Sequence, residues 1–425
     1  MPVSIATTAC RIAAVLSGSL LSLGAALAEP SALSEEQYVD LVLAQSLETR
    51  ITEGEVALAR AGALDAGRWP NPSIEWERES GGTPATGGRQ DILIASIPLV
   101  LSGRLGLERS AAEKGTLAAE ARAARARAEL RRDAIRAFSA VLAAEGRRAT
   151  LGRSLEALTA LSEAAGARER AGAAAGYHRL RIEVERASIE GQLLAAASSA
   201  RRAASDALGL LGPSATMLPV LKGSLSKDRP LPALPSLLAD LESRRGDVRA
   251  LSLEAEGADA ARRAAARGWI PDPTVNAGVQ LIGARDGLDT GYVVGLSVPL
   301  PLFQRGQGEE ARSAASRSLA QTRRSQLVHA ASVRLAALLE DVGARREQLA
   351  RHRSEVLART DELRQIANAA YRGGEADLLV LVDAERAWRE AQLTAIDLDL
   401  GLVETESDLL LLSGAFDGAT TGSIQ

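Results

Sequence analysis

Three histidines are the side chains of this chain best suited to acid–base or metal chemistry, and their spacing supports neither. His178, His329 and His352 are far apart in sequence and lack the short intervals that bring imidazoles to one metal ion. Cys10 is the only cysteine, so no thiolate cluster or disulfide is expected. No Ser-His-Asp context and no complete phosphate-binding glycine loop occurs, and Gly306-Gln307-Gly308 is only a fragment of one. No catalytic residue, cofactor or metal site is therefore expected, and the chain is read as a non-enzyme. Its 50 Lys and Arg against 54 Asp and Glu leave a net charge of −4. Arg and Glu are interspersed, as on solvated helix faces, so no basic field exists to hold nucleic acid.

The amino terminus reads as an export signal. Arg11 is the only charge before Glu29, and an apolar run from Ile12 to Leu27 follows it. Ala26-Leu27-Ala28 supplies the small-x-small pattern, so cleavage is expected there, with Ala26 and Ala28 as its determinants and residues 1–28 as the signal. Cys10 precedes the apolar run, which is the wrong place for lipid attachment, and would leave with the signal. Losing Arg11 takes the net charge from −4 to −5. No later run is apolar and long enough to span a bilayer as a helix. The mature chain is expected in the periplasm, outside the cell, or in a membrane as a β-barrel.

Stepping along the chain reveals that it is built twice. Ser96-Ile97-Pro98-Leu99-Val100-Leu101 resembles Ser297-Val298-Pro299-Leu300-Pro301-Leu302, at an offset of 201. Arg104 and Arg305, Glu108 and Glu309, and Pro70-Asn71-Pro72 and Pro271-Asp272-Pro273 keep the same offset. Glu183-Val184-Glu185-Arg186 and Asp383-Ala384-Glu385-Arg386 stand 200 apart. The expected organisation is a first repeat over 29–212, a connector over 213–232, a second repeat over 233–414 and a tail over 415–425.

Each repeat is expected to open with one helix, the first started by the capping box Ser34-Glu35-Glu36-Gln37. Pro-x-Pro ends it, and a β-hairpin follows over 73–98 or 274–298. Val275, Ala277, Val279 and Leu281 alternate with Asn276, Gly278 and Gln280, and Tyr292, Val294, Leu296 and Val298 share a face. Ile74 and Trp76 oppose Glu75 and Glu77, while Ile92–Ile97 is more uniformly apolar. Proline-free stretches from about Gly103 to Ala165 and from Gln304 to about Asn368 read as helices on the order of 90 Å long. Leu381, Ala384, Trp388, Ala391, Ala395, Leu398 and Leu402 step by three and four, which marks a coiled-coil seam. Aromatic residues make up only 3% of the chain, which suits close helix packing through small side chains.

Four strands with one apolar face cannot close a barrel, and their open edges are costly in lipid. Three copies would supply twelve. The expected fold class is mainly α with a small β part. It comprises an internally duplicated long-helix α-barrel plus a four-stranded contribution to a trimeric 12-stranded outer membrane β-barrel.

This duplicated helix–hairpin–long-helix plan resembles the TolC-like outer membrane factor family. Val298-Pro299-Leu300-Pro301-Leu302-Phe303-Gln304-Arg305-Gly306-Gln307-Gly308 and Asn71-Pro72-Ser73-Ile74-Glu75 are similar to its CzcC-like heavy-metal cation efflux branch. The resemblance implies a homotrimer in outer membrane lipid with its helices in the periplasm. It also implies a periplasmic adaptor (membrane fusion) protein and an inner-membrane pump of the resistance-nodulation-division type as partners. The cargo it implies is heavy-metal cations, with multidrug efflux or type I protein secretion as alternatives. A periplasmic adaptor or structural coiled coil is the reading from another class, and the duplicated hairpins argue against it. Tyr371-Arg372-Gly373-Gly374 with Leu381-Val382-Asp383-Ala384 resembles the family's pore-constriction segment. Asp383 is thereby a constriction residue, Val380 stands where a second aspartate is usual, and Asp377 is its proposed substitute. Arg170, Gly172, Gly176, Arg372 and Gly374 are the expected adaptor contacts.

Overall fold

The computed structural model describes residues 32–81, 88–170, 176–225, 233–284 and 287–417. Ala26, Ala28, Cys10 and Gly172 lie outside the described residues. The first repeat contributes α1 (Glu35–Gln45), α2 (Leu47–Asp65), β1 (Ser73–Gly81), β2 (Gly88–Pro98), α3 (Arg104–Arg170) and α4 (Gly176–Leu210). The second contributes α5 (Leu234–Arg244), α6 (Gly246–Ala265), β3 (Thr274–Ala284), β4 (Gly287–Ser297), α7 (Gln307–Arg351), α8 (Ala358–Gly373) and α9 (Leu378–Leu412).

The expected single opening helix of each repeat is two. Ser46 closes α1 in extended conformation and its hydroxyl accepts from Glu48 N, so one residue ends a helix and caps the next. Arg245 plays the same part between α5 and α6, but by backbone conformation alone. The Ser34–Gln37 capping box does open α1, with both of its hydrogen bonds formed.

α3 has 67 residues, roughly 100 Å of helix. Alanine dominates its buried positions, including Ala118, Ala121, Ala134 and Ala143, so its neighbours approach closely. α2 and α4 follow one another along α3, and α6 and α9 run beside both α3 and α7. The second long rod is not one helix. A single π-helical turn, His352–Leu357, joins α7 to α8. The extra residue of a π turn rotates the apolar stripe, which uninterrupted α-periodicity could not reveal.

The three largest apolar clusters among the described residues hold the rods. One gathers Tyr38, Phe138, Ala207 and Leu211 beside α1, and Tyr38 Oη donates to Ala207 O at 2.7 Å. A second, around Leu158, Ile182, Ile189 and Leu378, sits near the hairpin ends. The third joins Leu241, Leu335, Val342 and Leu409. The expected connector is tied in as well, because Leu221 bridges to Leu33. The expected tail is not loose at its start, since Phe416 belongs to the first cluster and only 6% of it is exposed.

Candidate functional site

The four strands form one antiparallel sheet in the order β1-β2-β3-β4. Its registers align side chains into rows across all four strands. Trp76, Leu93, Val279 and Tyr292 make one row, and Ile74, Ala95, Ala277 and Val294 the next. Both rows lie on the same face, and they are open: Ile74 is 76% exposed, Tyr292 84% and Val294 83%. An apolar sheet face of this extent cannot rest against water, because soluble proteins bury such surfaces.

The opposite face is polar along β1. Glu75, Glu77 and Glu79 all project from it, opposite Ile94, Ile92 and Gln90. Asn276 and Gln280 continue the polar character on β3. The uniform appearance of Ile92–Ile97 now has a cause. Leu93, Ala95 and Ile97 belong to the apolar face, while Ile92 and Ile94 lie half-buried on the polar one.

Strands of 9 to 11 residues match the length of a tilted membrane-spanning β-strand. Their two ends carry the side chains of a membrane boundary. At the loop end Arg78 pairs with Asp91 at 2.6 Å and its guanidinium lies 4.9 Å from the Trp76 ring. At the helix end Trp69, Trp269 and Phe303 are all more than half exposed. Among the described residues, β1 and β4 each have one edge without a partner strand.

Far from the sheet, the ends of α3–α4 and α8–α9 lie side by side. The Arg168 guanidinium sits 4.9 Å from the Tyr371 ring, and His178 Nε2 is 3.4 Å from Asp377 Oδ2. Gly374 caps α8, and its φ of 78° is the left-handed conformation that lets Glu375 N donate back to Ala370 O. Asp377 is the N-cap of α9, its Oδ1 accepting from Leu378 N at 2.7 Å. One of its oxygens is thus committed to the backbone, which sequence reasoning had not assigned. Asp383 stands between buried Val382 and Ala384 and is itself exposed. It makes no hydrogen bond or ion pair among the described residues. Its charge acts on the Arg386 guanidinium of the same helix. Val380, one turn before Asp383, is 45% exposed. Arg170, Arg372 and Gly374 are exposed at the same end, and Gly176 is half-buried against the Glu169 carboxylate.

A buried polar network above these ends was not expected. Arg389 of α9 reaches Glu185 of α4 at 2.9 Å and Ser154 of α3 at 3.3 Å. Glu385 lies 3.6 Å from Arg364, and burial raises its pKa. Arg153 and Arg364 flank the Trp388 ring at 5.1 and 4.4 Å. The seam residues Leu381, Ala384, Trp388, Ala391, Ala395 and Leu402 are all buried, and Leu398 is half-buried. Arg389 lies just beside that seam, so nothing in the apolar periodicity announces a charge there. Among the described residues no group of three His, Cys, Asp or Glu could hold a metal ion, and no helix is long and apolar enough to cross a membrane.

Comparison with known proteins locates this arrangement. The chain aligns over 90% of its length with 90% of the outer-membrane channel OprN, at a TM-score of 0.73 and 21% identity. The fold is that of the TolC-like outer membrane channels. By sequence the chain is 27% identical over 255 residues to the nickel and cobalt resistance protein CnrC of Cupriavidus metallidurans. That match covers 59% of this chain and 60% of CnrC, so it spans about three fifths of the relative's length. It is also 27% identical over 311 residues to the nickel-cobalt-cadmium resistance protein NccC of Alcaligenes xylosoxydans xylosoxydans, covering 72% of this chain and 68% of that one. No family model matches.

Proposed function

We propose that three copies of this chain form an outer-membrane exit duct for heavy-metal cations, fed by an inner-membrane pump through a periplasmic adaptor. The observation that carries this reading is the sheet. It has one exposed apolar face, one carboxylate-bearing face and two open edges, and it stands on helices long enough to reach far from it. Lipid accommodates the apolar face, and a water-filled lumen accommodates Glu75, Glu77 and Glu79. Three copies place three such carboxylate ladders around one axis, which favours cations over anions in the pore. Cargo moves through without chemical change.

The metal cargo draws its support from the likeness to CnrC, a nickel and cobalt resistance protein, and to NccC, a nickel-cobalt-cadmium resistance protein. Asp383 constricts the far end of the duct, where its exposed carboxylate makes no hydrogen bond or ion pair among the described residues. Asp377 contributes less charge there, because α9 uses one of its oxygens as a cap. The helix ends carrying Arg170, Gly176, Arg372 and Gly374 meet the adaptor.

Deletion of the gene in its host tests the reading. Sensitivity to nickel, cobalt or cadmium is expected to rise, and to return to normal with the intact chain supplied on a plasmid. Unchanged growth on all three metals, with increased sensitivity to uncharged drugs, would reassign the cargo.

A further inference from the structure

We infer that β4 of one copy pairs with β1 of the next in a single register, in which the paired residue numbers add to 372. This places Val298 opposite Ile74 of the next copy, Ser297 opposite its Glu75 and Leu296 opposite its Trp76. The inference rests on the trimeric reading and specifies the interface that reading requires.

The registers inside the chain carry it. Paired numbers add to 169 in β1–β2 and to 571 in β3–β4. The difference, 402, is twice the 201-residue offset, so the two hairpins are the same hairpin repeated. The junction between them, β2–β3, has pairs adding to 372. Moving β2 forward by 201 gives β4, and moving β3 back by 201 gives β1. The sum is unchanged, so the junction between copies repeats the junction inside one.

Three features of the side chains and backbone fit this register. First, the apolar face stays continuous: Leu296 and Val298 share a face with Tyr292 and Val294, as Ile74 does with Trp76. A slip of one residue would set Glu75 among them and carry carboxylates into lipid. Second, the hydrogen bond just beyond the β2–β3 ladder has an equivalent with the same residue types. Leu99 N donates to Pro273 O at 2.7 Å within the chain, and Leu300 would do so to Pro72 of the next copy. Leu300 is 71% exposed in one chain, while Leu99 is half-buried. Third, tight pairs keep a glycine. Gly278 faces Ile94, where an added Cβ would stand 2.4 Å from Leu93 O. At the equivalent place Gly295 faces Glu77 of the next copy. The glycine has moved to the other strand, and the pair still contains one.

Paired cysteine substitutions test the register in the full-length protein extracted in detergent. Val298→Cys with Ile74→Cys, and Ser297→Cys with Glu75→Cys, sample the two faces and so both kinds of antiparallel pair. Both are expected to give a covalent trimer on mild oxidation. The two-residue slips, Val298→Cys with Trp76→Cys and Leu296→Cys with Ile74→Cys, are expected to remain largely uncrosslinked. Efficient crosslinking in a slipped pair and not in the 372 pairs would overturn the register while leaving the trimer intact. Native mass of each variant is measured alongside. A monomeric mass in the unsubstituted protein would overturn the trimeric reading itself, and this inference with it.

Discussion

Asp417 shows how a single residue can store a pH dependence. Its carboxylate is almost wholly buried, accepts from Gly246 N at 2.6 Å and lies 3.7 Å from Arg125. Burial pushes its pKa up from 3.8 to about 6, and the Gly246 hydrogen bond and Arg125 only partly oppose this. The folded chain therefore holds this proton more tightly than the unfolded chain. The stability this gives is complete below pH 3.8 and is lost as pH rises through about 6. Asp417→Asn keeps an acceptor for Gly246 and removes the buried charge. At pH 7.5 it is expected to stabilise the fold by on the order of 1–2 kcal/mol. Thermal melts in detergent should show that gain closing towards pH 4. Arg389 is the opposite case, a charge with a good partner. Its side chain is 5% exposed and that of Glu185 13%. Arg389→Ala leaves a carboxylate nearly buried and unpaired, so a loss of about 3–5 kcal/mol is expected. Joint replacement of both residues by apolar ones should recover most of it. At the hairpin end, Asp383→Ala is expected to change single-channel conductance by about twofold or more, since a ring of carboxylates at a constriction dominates local ion density. An unchanged conductance would remove Asp383 from the constriction.

At the scale of elements, sequence and structure agree where a regular period meets a burial boundary. Alternation along β3 and β4 puts the apolar side chains on one sheet face and the polar ones on the other, and the three-four steps of α9 put its seam on the buried side. Other features escaped for physical reasons. The break at Ser46 divides an otherwise helical stretch, and its cap needs only one hydroxyl. The π turn at His352–Leu357 uses ordinary helix-forming residues. Contacts such as Arg389–Glu185, 204 residues apart, leave no local trace. The candidate constriction was read from a resemblance, and the N-cap duty of Asp377 emerged only with the backbone in place. Gly278 offers the test at this scale. Valine there would drive a Cβ into Leu93 O and Ile94, so Gly278→Val is expected to lose most of the sheet-dependent, heat-modifiable trimer band on gels while the helical circular dichroism signal persists.

The whole molecule joins two solvents in one chain. In the proposed duct, long helices packed through alanine would form the tube without a thick aromatic core. In that duct the sheet would be a wall with lipid on its apolar side and the Glu75, Glu77 and Glu79 carboxylates on the other. On this proposal neither part is complete in a single copy: among the described residues β1 and β4 each leave an edge without a partner strand, and the exposed apolar face calls for a continuous band of lipid. The most direct measurement is planar-bilayer recording of the purified protein. Stable, stepwise conductance with a preference for cations over chloride is expected, and the preference should weaken when Glu75, Glu77 and Glu79 are all changed to Gln. A protein that inserts without discrete conductance, or whose selectivity ignores those three carboxylates, would contradict the duct proposed here.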